Sequence, residues 1–566
     1  MIMRSAFIFL LLAFVAHTAM AQDMNMILAE LSGASSIEDV SEETLERLAA
    51  LKLHPVDINS ATKARLLATG LFSSYRVASL KDYIKENGEI LSVEELGLVD
   101  GFGHDFAKAI EPFIKFGTYS PPGVLRERNN MTDNSLMLGI GVKPEDRIYY
   151  GGKYKLDVAD MIDVGAVIKK GYSPEWWPPS KYGGYIACYS RKPDGKLIVG
   201  NFNTHFGQGL CLWSGFALSG LYGLRSVMRT PNGISPSLSF SNTDLSGAAA
   251  EVTFGRVALS ALTAFEKTGV LPALRFTHTG RHGQISVNSM CRTTSDKIAS
   301  AKVSIDTRAC IGGTDLFGEA AWDIKNSRFA AIAGTIVPIG ESFAVAASAR
   351  YYPIKFDTYM TGAPHAFSKS KDEAAMTLGC RFRQHELNSE FGRHISDDNK
   401  QMKVFLSDIF VINDGLSICS KLTARLRNFG PRSRYSARLD FKWTPAHFLL
   451  NVRTEAVTCR KFGLLNYAEA GYKTDNWAAF FRATEFLADN WDDRIYVYER
   501  DAPGSFSVPA YYGRGYSLSA YANAKINIRR TVLKLYLRGA ITEYSRMKEK
   551  RKPGKAELKF QLLYTW

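Results

Sequence analysis

Long apolar runs are scarce in this chain of 566 residues. After the first 30 residues none reaches the roughly 18 that a membrane-spanning helix needs, and the mean hydropathy is −0.12. A polytopic helical membrane protein is therefore excluded. Cysteine is also sparse: seven residues, from Cys188 to Cys459, never form a Cys-x-x-Cys pair. Neither a zinc motif nor a disulfide framework is indicated, and the thiols read as small apolar fillers. Catalytic punctuation is missing too. The 10 histidines are scattered, and the chain holds no His-Glu-x-x-His, Gly-x-Ser-x-Gly or P-loop pattern. No enzyme, catalytic residue, metal site or cofactor is predicted, and His205 reads as a turn or lumen histidine. What is abundant is apolar residues at 46%, aromatics at 12% and 46 glycines. That excludes a disordered chain and suits β-sheet with aromatic girdles better than helix bundles.

The first 21 residues carry a secretory pattern. Arg4 supplies the positive start, Ala6 to Ala16 a short apolar core, and Ala19-Met20-Ala21 a small-residue cleavage site before Gln22. Residues 1–21 are thus expected to be a signal peptide, and no cysteine follows the cleavage site to make a lipoprotein.

Residues 22–116 have helical periodicity. Leu45, Leu48 and Leu51 recur every three positions, and Val77, Leu80 and Ile84 at three and then four, with Leu66 and Leu67 between. Ser41 with Glu42-Glu43 starts one helix, and Asn59-Ser60-Ala61-Thr62 offers a cap for the next. The segment repeats internally: Leu66-Leu67-Ala68-Thr69-Gly70-Leu71-Phe72 is echoed by Leu96-Gly97-Leu98-Val99-Asp100-Gly101-Phe102-Gly103.

Val56-Asp57-Ile58-Asn59-Ser60-Ala61-Thr62, Gly70-Leu71, Tyr83-Ile84, Asn87-Gly88, Ser92-Val93-Glu94-Glu95-Leu96 and Gly101-Phe102-Gly103 together resemble the tandem helix-hairpin-helix domain of competence-type DNA receptors. The resemblance implies that the turns at Gly70-Leu71 and Gly101-Phe102-Gly103 face DNA phosphates through backbone N–H groups. The second hairpin keeps both glycines and the small Ala107. The first departs, with Phe72 at the second glycine position and Arg76 at a small-residue position. Charge opposes the DNA reading. Residues 22–116 hold nine Lys and Arg against 16 Asp and Glu, a net −7, whereas residues 117–566 carry +20. Because phosphate neutralisation provides most nonspecific affinity, docking on protein is favoured over nucleic acid for this segment.

Residues 117–566 read as strands. Tyr435, Ala437, Leu439, Phe441 and Trp443 alternate with Ser436, Arg438, Asp440 and Lys442. After Thr444-Pro445-Ala446 the alternation resumes with Phe448, Leu450, Val452 and Ala456 against Asn451, Arg453 and Glu455. Phe343 to Tyr351 and Leu533 to Thr542 repeat the device. Such alternation makes either a soluble sandwich or a transmembrane barrel. Segments of about 9–12 residues are long enough to cross an outer membrane with tilt. The chain also ends on an alternating strand in which Phe560, Leu562, Tyr564 and Trp566 share a face, similar to the terminal strand recognised by the barrel-assembly machinery of Gram-negative bacteria. The expected fold is an all-β antiparallel transmembrane barrel of about 18–24 strands, even in number, preceded by a small all-α domain. The Pro121-Pro122 step is expected to link them, with the helical domain in the periplasm beneath or partly inside the lumen.

Leu197 to Leu210, containing Asn203-Thr204-His205-Phe206-Gly207-Gln208-Gly209, together with Asp493 to Gly504 and Tyr512-Gly513-Arg514-Gly515, resemble Gram-negative outer-membrane barrel proteins that carry an N-terminal tandem helix-hairpin-helix domain. The resemblance implies architecture and location and little about cargo. Glu499, Arg500, Asp501 and Arg514 form a charge cluster able to line a lumen constriction. The expected partners are outer-membrane lipid, the barrel-assembly machinery and a periplasmic protein. The expected role is a channel, transport component or envelope scaffold; DNA uptake is the alternative.

Overall fold

The computed structural model describes residues 24–117, 132–545 and 554–566, apart from single positions 41, 219, 296, 341, 414 and 530. The expected signal peptide and the Pro121-Pro122 step lie outside the described residues.

Twenty-four antiparallel strands run in chain order from Thr132–Lys143 to Lys555–Thr565, each paired to the next. A short extra strand, Gly233–Pro236, lies beside Asp194–His205, which also pairs directly with Leu245–Phe254. The last strand returns to the first: Phe560 lies opposite Ile140, Leu562 opposite Leu138 and Tyr564 opposite Leu136. Trp566 continues the seam by exchanging backbone bonds with Asn134 at 3.0 and 3.1 Å, and its ring stacks on Tyr564 at 4.9 Å. The sheet has no free edge, so every strand finds backbone partners without water.

Burial along the strands is inverted relative to a soluble protein. In Lys297–Ile311 the inward Lys302 is 0% exposed and Asp306 2%, while the outward Val303 is 37% and Ile305 47% exposed. The alternations read from the sequence behave likewise: Tyr435, Leu439, Phe441 and Trp443 point outward, and Asp440 and Arg453 are buried. A ring with an apolar outside and a charged inside is stable only where hydrocarbon surrounds it, which makes this a membrane barrel. Among the described residues no cysteine forms a disulfide, and only Cys211 and Cys310 are buried. The apolar-filler reading therefore fails for the other five, because in such a barrel the apolar face is the exposed one.

An even strand number leaves both barrel termini at one end. The longest connections, 206–244, 353–372 and 489–512, all emerge at the other end.

The helical domain has six α-helices: Met24–Ser32, Glu42–Leu53, Lys63–Ala68, Ser74–Asn87, Val93–Leu98 and His104–Ile110. Thr62, Ser73 and Ser92 cap three of them by accepting the backbone N–H of Arg65, Arg76 and Glu95. Lys63–Ala68 with Ser74–Asn87, and Val93–Leu98 with His104–Ile110, are the two repeats. The departures at Phe72 and Arg76 join them. Phe72 is fully buried, its ring 6.0 Å from Phe102 and 6.5 Å from Phe106, and Arg76 lies 3.6 Å over the Phe106 ring and donates Nε to the Gly101 carbonyl at 2.8 Å. A second glycine at position 72 would remove this shared aromatic core. The parallel pairing of Val56-Asp57 with Ile114-Lys115 ties the ends of the domain together.

Candidate functional site

The helical domain sits inside the barrel. Its side chains meet inward residues of strands from Arg147–Val158 round to Phe448–Thr458, so wall surrounds it on most sides. The attachment is largely ionic and mostly of one polarity, with acid on the domain and base on the wall. Glu38 lies 2.6 Å from Arg453 and 3.5 Å from Arg438, and Asp39 lies 3.3 Å from Lys421. Glu46 pairs with Lys153, Glu42 with Lys169 at 3.8 Å, and Asp105 with Arg381 at 3.3 Å. One contact reverses the sign: Arg65 binds Asp157 and, at 3.2 Å, Asp163. Beside it, the first amides of the helix Lys63–Ala68 rest on the Asp194 carboxylate, Lys63 at 3.1 Å and Ala64 at 3.3 Å, where the helix dipole favours an anion.

Glu38 is the most deeply committed of these acids. Burial alone would raise its carboxyl pKa, but Arg453 and Arg438 hold it well below the usual carboxylate range. Glu42, Glu43 and Glu46 go the other way. For them burial outweighs the nearby Lys169, Arg47 and Lys153, and each is raised.

From the opposite end the three long connections fold inward over the domain. In the segment resembling a family hallmark, the amides of Gln208, Leu210 and Cys211 converge on Glu319 at 2.7, 2.9 and 3.2 Å. His205, expected from the sequence as a turn or lumen histidine, ends the strand Asp194–His205 and is buried against Trp213 with its ring nitrogen 2.6 Å from Asn232. The second connection joins the first where Trp213 donates its amide to Met360. In the third, Glu499 pairs with Arg538, Arg500 with Glu469 at 2.8 Å and Asp501 with Lys559 at 2.7 Å. Three of the four residues of the expected cluster thus meet the inner wall. Arg514 does not: it binds Asp489 at 2.7 Å in an exposed position on the strand rim.

Two of the three hairpin glycines, Gly70 and Gly101, are used internally. Gly70 has φ +71°, and a Cβ there would stand 2.5 Å from the Arg47 guanidinium. Its N–H is bound to Leu67 and that of Leu71 to Thr69, so neither the Gly70 nor the Leu71 amide is free to offer a phosphate. Gly101 at φ +81° lies under the Tyr75 ring, where a Cβ would be 2.6 Å away. Phe102 is buried, and Gly103 is exposed at the start of a seven-residue helix.

A cavity of 470 Å³ remains between the Ile37–Asp39 turn and the wall, bordered by Lys403, Lys421, Arg434, Arg438, Glu455 and Tyr222. The sequence marked Arg438, Arg453 and Glu455 only as one polar face. Glu38, Asp39 and Glu46 went unmarked, although the opposite net charges of the two segments were the signal that they would meet.

No protein-family model matches this chain and no curated protein does. Among solved structures it is similar to the translocation pore of the P pilus usher, with 11% identity over 77% of this chain and 99% of that one and a TM-score of 0.37. An E. coli P pilus tip assembly intermediate gives 9% over 80% and 63%, with a TM-score of 0.44. A BenF-like porin from Pseudomonas fluorescens gives 8% over 77% and 98%, with a TM-score of 0.31.

Proposed function

We propose that this chain is an outer-membrane channel or transport component whose barrel is closed at rest by its own N-terminal domain. On this reading the terminal end of the barrel faces the periplasm, and the tandem helix-hairpin-helix unit is a seated plug and a docking surface for a periplasmic protein. The observation that carries it is the set of acid-to-base contacts that Glu38, Asp39 and Asp105 make with Arg453, Arg438, Lys421 and Arg381. A sixteen-stranded barrel already encloses an aqueous channel, and 22-stranded transporters keep theirs plugged. Twenty-four strands would leave a wide hole without the domain. Glu499, Arg500 and Asp501 then act as part of the closure, narrowing the lumen from the loop end. DNA gripping is disfavoured by the net −7 of residues 22–116 and by the occupied turn at Gly70.

Planar-bilayer conductance tests the channel reading. The full protein should show small or intermittent openings, and deletion of residues 27–116 should give large, steady ones. Because the deleted barrel has to assemble, the same recording is made on full-length protein with the domain loosened by urea. If neither treatment raises conductance, the filled lumen belongs to an envelope scaffold instead.

A further inference from the structure

A second, smaller cavity lies deeper, where helical domain, wall and first long connection meet. It measures 130 Å³, the space of about four water molecules. Five arginines line it: Arg47 and Arg76 from the helical domain, Arg308 from the wall, and Arg225 and Arg229 from the connection. Only two carboxylates, Glu30 and Glu43, join them. Glu30 binds Arg225 at 2.6 Å, and outside the cavity Asp315 takes one Arg308 nitrogen at 3.2 Å.

Glu43 stands beside Arg47, and Asp315 also reaches Arg225 at 3.7 Å, so three carboxylates face five arginines among the described residues and positive charge is left over. Arg308 is 1% exposed, and among the described residues its Nε and Nη1 have no hydrogen-bond partner; neither does Nε of Arg47. Arg229 is held by the carbonyls of Gly362 and Leu218 and Arg76 by that of Gly101, and for neither does a carboxylate lie within ion-pairing distance among the described residues. Burial, with Arg308 alongside, pushes Arg76 down to about 9. Buried guanidinium donors left open carry a large desolvation cost, and a planar fork of N–H groups matches tetrahedral oxyanions.

We propose that this cavity is an anion site that takes one small oxyanion of the phosphate or sulfate class, held between Arg47 of the helical domain and Arg308 of the wall. Bound there, the anion bridges domain, wall and connection at once and fastens the seat. The site is independent of the channel reading, since a barrel that never conducts would bind the anion equally well.

The test uses full-length protein in detergent with inorganic phosphate as the probe and chloride as the reference salt. Calorimetry should give saturable binding of one phosphate per chain, and the unfolding midpoint should rise with the logarithm of phosphate concentration. Arg47→Gln and Arg308→Gln should each weaken binding about tenfold or more, the worth of a charge-assisted hydrogen bond. Arg256→Gln, at an exposed pair with Asp82, should leave it unchanged. Glycerol 3-phosphate is run in parallel: tighter binding than phosphate assigns the oxyanion to a headgroup, and weaker binding to a free ion. The absence of saturable phosphate and glycerol phosphate binding by the unaltered protein overturns the proposal, whatever the variants do. Binding that survives both arginine substitutions in folded protein overturns it as well.

Discussion

The helical domain and the barrel solve opposite solvation problems with the same residue types. In the domain Leu28, Phe72, Leu80 and Phe106 are buried together and most charges lie on the outside. In the barrel Leu138, Ile140 and Phe560 are exposed while Lys302, Arg308 and Glu319 are buried. Each arrangement alone would leave a defect: the barrel would carry a lumen crowded with base, and the domain an excess of acid. Seated together, the acidic exterior of one neutralises the basic interior of the other. Net charge measured over a whole chain hides this, because +14 overall is the sum of −7 and a larger positive number.

The comparison breaks most completely where the barrel meets lipid. Changing Phe560 and Tyr564 together to Asp should abolish assembly, since both lie on the strand that closes the ring against Ile140 and Leu136. Charged groups on the lipid face also cost up to roughly 2–4 kcal/mol for Arg or Lys at mid-membrane, and less for Asp. Membrane fractionation with heat-modifiable gel migration reads the result, and normal levels of folded protein would contradict it.

A smaller effect is expected where the two regions meet each other. Glu38→Lys should leave the barrel intact but unseat the domain, because it places like charge against Arg438 and Arg453. Losing one partner of such a buried group costs roughly 3–5 kcal/mol. Hydrogen exchange over residues 27–116 should rise sharply while the strands stay protected; unchanged protection would mean that the ionic ring does not hold the seat.

The pH profile sharpens the comparison with the smallest effect. The folded-state pKa of Glu38 is depressed, so its contribution is present above the ordinary carboxylate pKa and is lost as pH falls through the lower folded value. Glu42, Glu43 and Glu46 are raised, so their charge opposes seating at neutral pH and that penalty lifts as pH falls through their raised values. Seating should therefore tighten modestly from neutral to mildly acidic pH and fail in strong acid. Exchange protection of residues 27–116, corrected for intrinsic rates, reads the curve; a profile flat from neutral pH down to the ordinary carboxylate range, with loss only below it, would assign control to Glu38 alone.

Much of the architecture was legible in the residues because strands and helices bury stripes with fixed periods. Tyr435 to Trp443 alternates every second residue and does face outward; Leu45, Leu48 and Leu51 do share a helix. The terminal face of Phe560, Leu562, Tyr564 and Trp566 likewise sits where a closing strand has to be. The charge cluster was legible only in part. Glu499, Arg500 and Asp501 reach the wall because their connection folds inward, whereas Arg514, close by in sequence, stays with Asp489 because it belongs to the strand itself. Likewise, nothing local to Phe72 or Arg76 announced that they would cross from one hairpin to the other.

By itself the sequence determined what each segment had to bury: alternating strands with an apolar face, short capped helices around a repeat, acid in one part and base in the other. These follow from backbone periodicity and side-chain solvation, which act over a few residues. The tertiary structure decided that the acid would enter the base, that the amide at Gly70 would be used within its own turn, and that five arginines would surround one small cavity. Those outcomes depend on residues hundreds of positions apart, such as Glu38 and Arg453 or Asp39 and Lys421, and only the closing of the ring brings them within reach.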